Sequence, residues 1–188
     1  MTPLTSEAVA YRARALAQAH PLSKLAKQYL DWAVADQRTS QPLPEIGIWA
    51  GAALLEGYCV RRVEEEDLDL EVGGPAAGDG PGDGDEAKTE SVTIDDLDKA
   101  ATVIAAELRT GYTEDGTAVT THQDPAAEER LLKTLDNIVA KQVSQRLDHW
   151  RDSVDDEAYR ELEEYMTWWV VKGYALRVAE SNLGVVHR

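Results

Sequence analysis

Apolar residues along the chain recur at spacings of three, four and seven, the signature of helices with one buried face. The first such stretch runs from Glu7 to about Ala19, carries Val9, Leu16 and several alanines, and is broken by His20-Pro21. A second follows from Leu22 to about Arg38, with Leu25, Tyr29, Trp32 and Val34 at helical spacing. "TSQPLP" stops it, and a third helix is predicted from Glu45 to about Glu66. After a polar gap, Thr93 and Asp96 form a capping-box pattern ahead of "IDDLDKAATVIAAELRT", which Gly111 ends. "GYTEDGTAVTTHQ" reads as a loop or small hairpin around Asp115-Gly116. Asp124-Pro125 reads as an N-cap plus a first-turn proline, opening a helix to about Trp150. Ser153 with Asp156 suggests the cap of a last helix to about Asn182, with Gly184 just beyond. The expected class is therefore all-α, a six-helix bundle.

The gap between the third and fourth helices has a composition of its own. Residues 72–91, "VGGPAAGDGPGDGDEAKTES", hold six of the thirteen glycines, two prolines and no large apolar residue beyond Val72. Such a segment cannot bury enough surface to offset its ordering entropy, so it is expected to be a disordered, flexible acidic linker. It separates an N-terminal three-helix unit, residues 1–71, from a C-terminal one, residues 92–188, and the two are expected to share one core.

The third and sixth helices resemble each other. At a constant offset of 116, "LLEGYCVRRVEE" (54–65) aligns with "VVKGYALRVAES" (170–181), so that Gly57 matches Gly173, Tyr58 Tyr174, Arg61 Arg177 and Glu64 Glu180. "LDWAVADQ" (30–37) and "LDNIVAKQ" (135–142) share five of eight residues at an offset of 105. A duplicated three-helix unit with pseudo-twofold symmetry accounts for both.

The mismatches say more. Glu56, inside the most hydrophobic run of the chain, falls opposite Lys172, and Ala52 and Ala53 fall opposite Trp168 and Trp169. Trp49, Ala53, Glu56, Val60 and Val63 form one stripe of the third helix; Tyr165, Trp169, Lys172, Leu176 and Ala179 form the matching stripe of the sixth. An unpaired charge buried there costs several kcal/mol. The expectation is that the two helices cross antiparallel near Gly57 and Gly173, where absent side chains allow close approach, and that Glu56 and Lys172 form a structural ion pair. The alternative leaves both charges in a solvated groove.

Composition narrows the function classes. The chain has 188 residues, 43% of them hydrophobic, with no Phe, five Trp and seven Tyr. Net charge is −16, and the segment from Glu64 to Lys99 alone contributes −12. This balance disfavours direct nucleic-acid binding and adhesion to anionic membranes. It suits a basic protein partner, and it also suits a saline cytoplasm. Cys59 is the sole cysteine, so no intrachain disulfide forms, and a cytoplasmic location is expected. The N-terminus lacks a signal-peptide pattern, and the longest apolar stretch, around Ile46–Val60, is too short to span a bilayer.

Several motifs carry chemistry. Glu64 and Asp67, with Glu161 and Glu164 in "ELEE", resemble the acidic helical motifs of the MazG-like nucleotide pyrophosphatases over those clusters alone. A solvated acidic face is the better reading, because the first cluster runs straight into the linker. "RALAQAH" places Arg14 six residues before His20, a spacing similar to the Arg-His motif of HEPN ribonucleases, which usually carry it on a late helix. "DGPGDGDEAKTE" imitates a calcium loop through Asp79, Asp83, Gly84 and Glu90, but Pro81 takes a ligand position. The four histidines lack acids three residues before them, so no helical di-iron pattern exists, and a single thiol excludes cysteine-rich zinc sites. No metal or cofactor is expected. Tyr58, Arg61, Tyr174 and Arg177 are the candidate ligand-binding residues, lining a groove for an anion or planar molecule. In the competing reading Arg61–Glu64 and Arg177–Glu180 are ordinary i, i+3 ion pairs.

These observations point to a non-enzymatic helical interaction, adaptor or regulatory protein whose partner is another protein, with homodimerisation left open. The alternatives are a helical metal-dependent nucleotide hydrolase or HEPN-like ribonuclease, and a small-molecule or anion sensor using the Tyr/Arg groove.

Overall fold

A computed structural model describes residues 5–41, 43–67, 92–110, 125–147 and 155–185. Among these residues there are six α-helices and no strand. They are α1 (Ser6–Ala17), α2 (Lys24–Ser40), α3 (Pro44–Asp67), α4 (Ile94–Thr110), α5 (Pro125–Leu147) and α6 (Asp156–Asn182). The linker 72–91, its calcium-like loop and the segment around Asp115-Gly116 lie outside the described residues.

Local chemistry sets the helix ends. Thr5 caps α1 by accepting from the Ala8 N–H, and Ser23 caps α2 by accepting from Ala26. Thr93 and Asp96 exchange reciprocal 3.1 Å bonds in a complete capping box. The cap of α6 is Asp155, whose carboxylate accepts from Ala158, and not the expected Ser153; an ionised oxygen also favours the positive end of the helix dipole. At the far end of α6, Gly184 takes φ +74 while Val185 N–H reaches Glu180 O and Gly184 N–H reaches Ser181 O, a Schellman closure.

The core is one cluster drawn from all six helices. α3 and α6 form its central pair; α1 and α2 pack on α3, α4 and α5 pack on α6, and α1–α5 and α2–α4 contacts close the sides. α3 and α6 meet at Gly57 and Gly173. A Cβ on Gly57 would overlap the carbonyl oxygen of Val170, and a Cβ on Gly173 would overlap that of Leu54. The obstacle on each side is backbone, which cannot swing aside. Two helices therefore touch main chain to main chain only because both glycines are present, at about 1 kcal/mol of helix propensity each.

The expected antiparallel crossing is corrected by the contacts beyond the glycines. They join Tyr58 to Glu180, Glu64 to Tyr174 and Glu65 to Arg177, all within the C-terminal halves of both helices. An antiparallel pair crossing at the glycines would set Arg177 about 18 Å along the axis from the residue facing Glu65, too far for an ion pair.

Candidate functional site

Beyond the crossing, the C-terminal halves of α3 and α6 enclose a polar network inside the hydrophobic core. Tyr58 donates its hydroxyl proton to Glu180 at 2.5 Å, and Tyr174 donates to Glu64 at 2.5 Å. The Arg177 Nε–H donates to Glu65 at 3.0 Å, and Arg177 Nη1 donates to Glu180 at 3.1 Å. Arg61 donates to the Tyr174 hydroxyl at 3.0 Å and lies 3.6 Å from Glu65. Ser23, at the start of α2, gives its hydroxyl proton to the second oxygen of Glu180. The guanidinium of Arg61 also sits over the Tyr174 ring, as that of Arg177 sits over the Tyr58 ring.

Burial shapes the titration of this network. It pushes both tyrosine hydroxyls up, and the adjoining carboxylates push the same way. Burial also raises the Glu65 carboxyl above its usual range, with Arg177 and Arg61 opposing. For Arg177, burial pulls downward, but Glu65, Tyr58 and Glu180 outweigh it, leaving the guanidinium more firmly charged. Removing one charged partner of such a set leaves an uncompensated buried charge, which typically costs about 3–5 kcal/mol.

Tyr58, Arg61, Tyr174 and Arg177 are thus brought together, but not around an open groove. Both tyrosines and Arg177 are sealed, and only Arg61 retains slight exposure. Glu64, Glu65 and Glu180 supply acceptors from within. The i, i+3 pairs exist as well, at 4.0 Å for Arg61–Glu64 and 3.1 Å for Arg177–Glu180. Sequence reasoning missed Ser23 and the role of Glu65, which reach the cluster from other elements or without a repeat partner.

Glu56 and Lys172 do not join. No Glu56–Lys172 pair occurs among the ion pairs of the described residues, and each charge has a partner of its own. Lys172 donates to Asp98 of α4 at 3.1 Å and is ringed by Tyr29, Trp168 and Trp169 within 6 Å. Tyr29 donates to the same Asp98 oxygen at 2.6 Å. Glu56 accepts from the amide of Gln142 on α5. The geometric reason is simple: each charged residue precedes its contact glycine and so lies about 100° around the helix from the crossing. The two face opposite flanks.

Those flanks differ in filling. Around Lys172 the indoles occupy the space. Around Glu56, where Ala52 stands in place of an indole, α1, α3 and α5 leave a cleft of about 590 Å³. Arg14, Lys141 and Arg146 line it together with Glu56 and Gln142. Burial raises the Glu56 carboxyl above its ordinary range, and Gln142 and those three cations offset the rise only in part. A second depression, about 400 Å³, adjoins across Ala52 and Leu55 and is lined by Leu30, Val34 and Ile48 of α2 and α3.

The other candidate motifs fall apart in space. Arg14 lines the larger cleft and bonds Asn137, whereas His20 lines the smaller depression. Glu64 is buried against Tyr174, while Glu161 and Glu164 are exposed. Among the described residues no group of three or more His, Cys, Asp or Glu is placed to hold a metal ion. Cys59 is buried, and burial pushes its thiol up to about 12. No helix of the described residues is long and apolar enough to cross a membrane. Comparison of the chain with protein-family models, with curated proteins and with solved structures finds no match.

Proposed function

We propose that the chain is a non-enzymatic, cytoplasmic interaction or regulatory protein built by duplication of a three-helix unit, with residues 1–71 and 92–188 completing one core about an approximate twofold. Support for the duplication comes from contacts that map onto each other at the 116-residue offset. Gly57–Val170 maps onto Gly173–Leu54, and Tyr58–Glu180 maps onto Tyr174–Glu64. Because the units complete each other's core, a homodimer is not required for stability.

The observation that carries the binding reading is the divergence of the two flanks. Indoles fill one; Ala52 keeps the other open, beside a shallow apolar depression with Ile48 half exposed. The partner is a protein segment that sets an apolar side chain against Leu30, Val34 and Ile48, and the acidic stretch Glu64–Lys99, with −12 of the chain's −16, favours a basic one. The linker 72–91 serves as a tether between the units.

Affinity capture from the native host tests this, using wild type beside Ile48→Asp. A co-purifying basic protein that binds wild type after purification, and loses that binding in Ile48→Asp with an unchanged helical spectrum, supports the reading. Magnesium-dependent nucleotide hydrolysis or RNA cleavage by the purified chain contradicts it.

A further inference from the structure

We propose that the α1–α3–α5 cleft is a binding site for a small amphoteric anion, a molecule carrying carboxylate or phosphate groups together with an ammonium or N–H donor. The inference rests on reading the chain as a binding protein, but it concerns a different depression from the one assigned to a protein partner.

Three observations converge. First, the cleft is lined by more cations than anions. Its lining holds Arg14, Lys141 and Arg146 against the single carboxylate of Glu56. Cations gathered from α1 and α5 around a concavity favour an anionic guest, and the guanidinium fork favours carboxylate or phosphate. Second, one of those cations is incompletely used. Arg146 Nη2 donates to Gln142 at 3.3 Å, but its Nε–H is buried without an acceptor. A buried donor left in that condition costs about 1–3 kcal/mol, which a turn of the guanidinium onto an anionic guest would recover. Third, Glu56 lines the site, with one oxygen taken by Gln142 and the other facing no protein donor within hydrogen-bond distance. A guest with only negative charge would meet this carboxylate unfavourably; a guest that also brings an N–H satisfies it.

The opposite flank shows how the same site is closed. There Lys172 takes the position of Glu56, Asp98 neutralises it, and Trp168 occupies the place held by Ala52. Cation, anion and ring are all supplied by the protein. On the α3 side they are not, and the cleft of about 590 Å³ accommodates a guest of metabolite size.

Calorimetric titration of the full chain tests the proposal with six probes. Glutamate and O-phosphoserine represent the carboxylate and phosphate sources of an amphoteric anion. Succinate and inorganic phosphate lack the amine, and glycine and putrescine lack the excess negative charge. Saturable binding of glutamate or O-phosphoserine is expected, at least about tenfold tighter than that of succinate or inorganic phosphate. Ala52→Trp and Arg146→Met should each weaken it at least about tenfold, and Glu56→Gln should remove the preference for the amine. Absence of binding by both amphoteric probes at millimolar concentration overturns the proposal, as does equal binding of succinate or phosphate, or undiminished binding in Ala52→Trp. Ile48→Asp should leave the titration unchanged. Failure here alongside Ile48-dependent partner capture would remove the small-molecule site and leave the protein-binding reading standing.

Discussion

Tyr58 of α3 donates its hydroxyl proton to Glu180 of α6 at 2.5 Å, with both side chains fully buried. Ser23, the cap of α2, donates to the other oxygen of the same carboxylate, so three helices are joined through one acid. Tyr58→Phe and Ser23→Ala should each destabilise by about 1–2 kcal/mol. Their effects should couple by at least about 0.5 kcal/mol, because both act on Glu180. A double-mutant cycle in urea checks this; simple additivity would mean that the two donors act independently.

The acid side of the stability profile offers a second test. Burial raises the Glu56 carboxyl above its ordinary 4.5, against Gln142 and against Arg14, Lys141 and Arg146, which face it from α1 and α5. A carboxyl that holds its proton more tightly when folded favours the fold while protonated. Its contribution is fully present below the ordinary value and lost as pH rises through the folded one. Glu65 behaves likewise. Glu56→Gln should therefore lose less stability than wild type between pH 4.5 and neutrality. Urea melts across that range give the comparison, and a steeper loss in the variant would contradict the assignment.

Much of the helical plan was legible along the chain because caps and breakers are local: the Thr93–Asp96 box, the proline at 125 and the glycine at 184 need only neighbours. Gly57 and Gly173 were also legible as places of close approach, since glycine inside an apolar helix has a propensity cost that packing must repay. The flanks were not legible. The 116-residue match marks Glu56 and Lys172 as equivalent, but equivalence does not bring two residues together. Which way each turns depends on the 100° step from its glycine and on where α4 and α5 lie. The larger cleft draws Arg14, Glu56 and Arg146 from three helices, so no short motif announces it. Ser23 reaches Glu180 across 157 positions.

The unequal flanks predict unequal responses to exchange of their key side chains. Trp168→Ala would strip a ring from Lys172, whose ammonium lies 5.4 Å from that ring's centre, and should cost about 2 kcal/mol. Ala52→Trp places an indole at the equivalent point in a space already empty, and should change stability by less than about 1 kcal/mol. Guanidinium denaturation of both variants decides between this order and its reverse.

Cys59 supplies a reporter for the central pair. It lies two residues beyond Gly57, is fully buried, and has its thiol pushed up to about 12. A thiol reagent at mildly alkaline pH should modify it only as fast as the protein opens, with the rate rising steeply across the denaturation transition. Rapid modification of native protein would show that α3 is less enclosed than described.

The most direct test concerns the crossing itself, through the melting temperatures of Gly57→Ala and Gly173→Ala. Helix propensity alone predicts that each alanine stabilises by about 1 kcal/mol. The reciprocal overlap with the carbonyls of Val170 and Leu54 predicts the opposite sign, because neither helix can yield without separating from the other. Each variant should lose about 2–3 kcal/mol, a fall of roughly 5–10 °C in Tm for a chain of this length. A Tm equal to or above that of wild type in either variant would contradict the account.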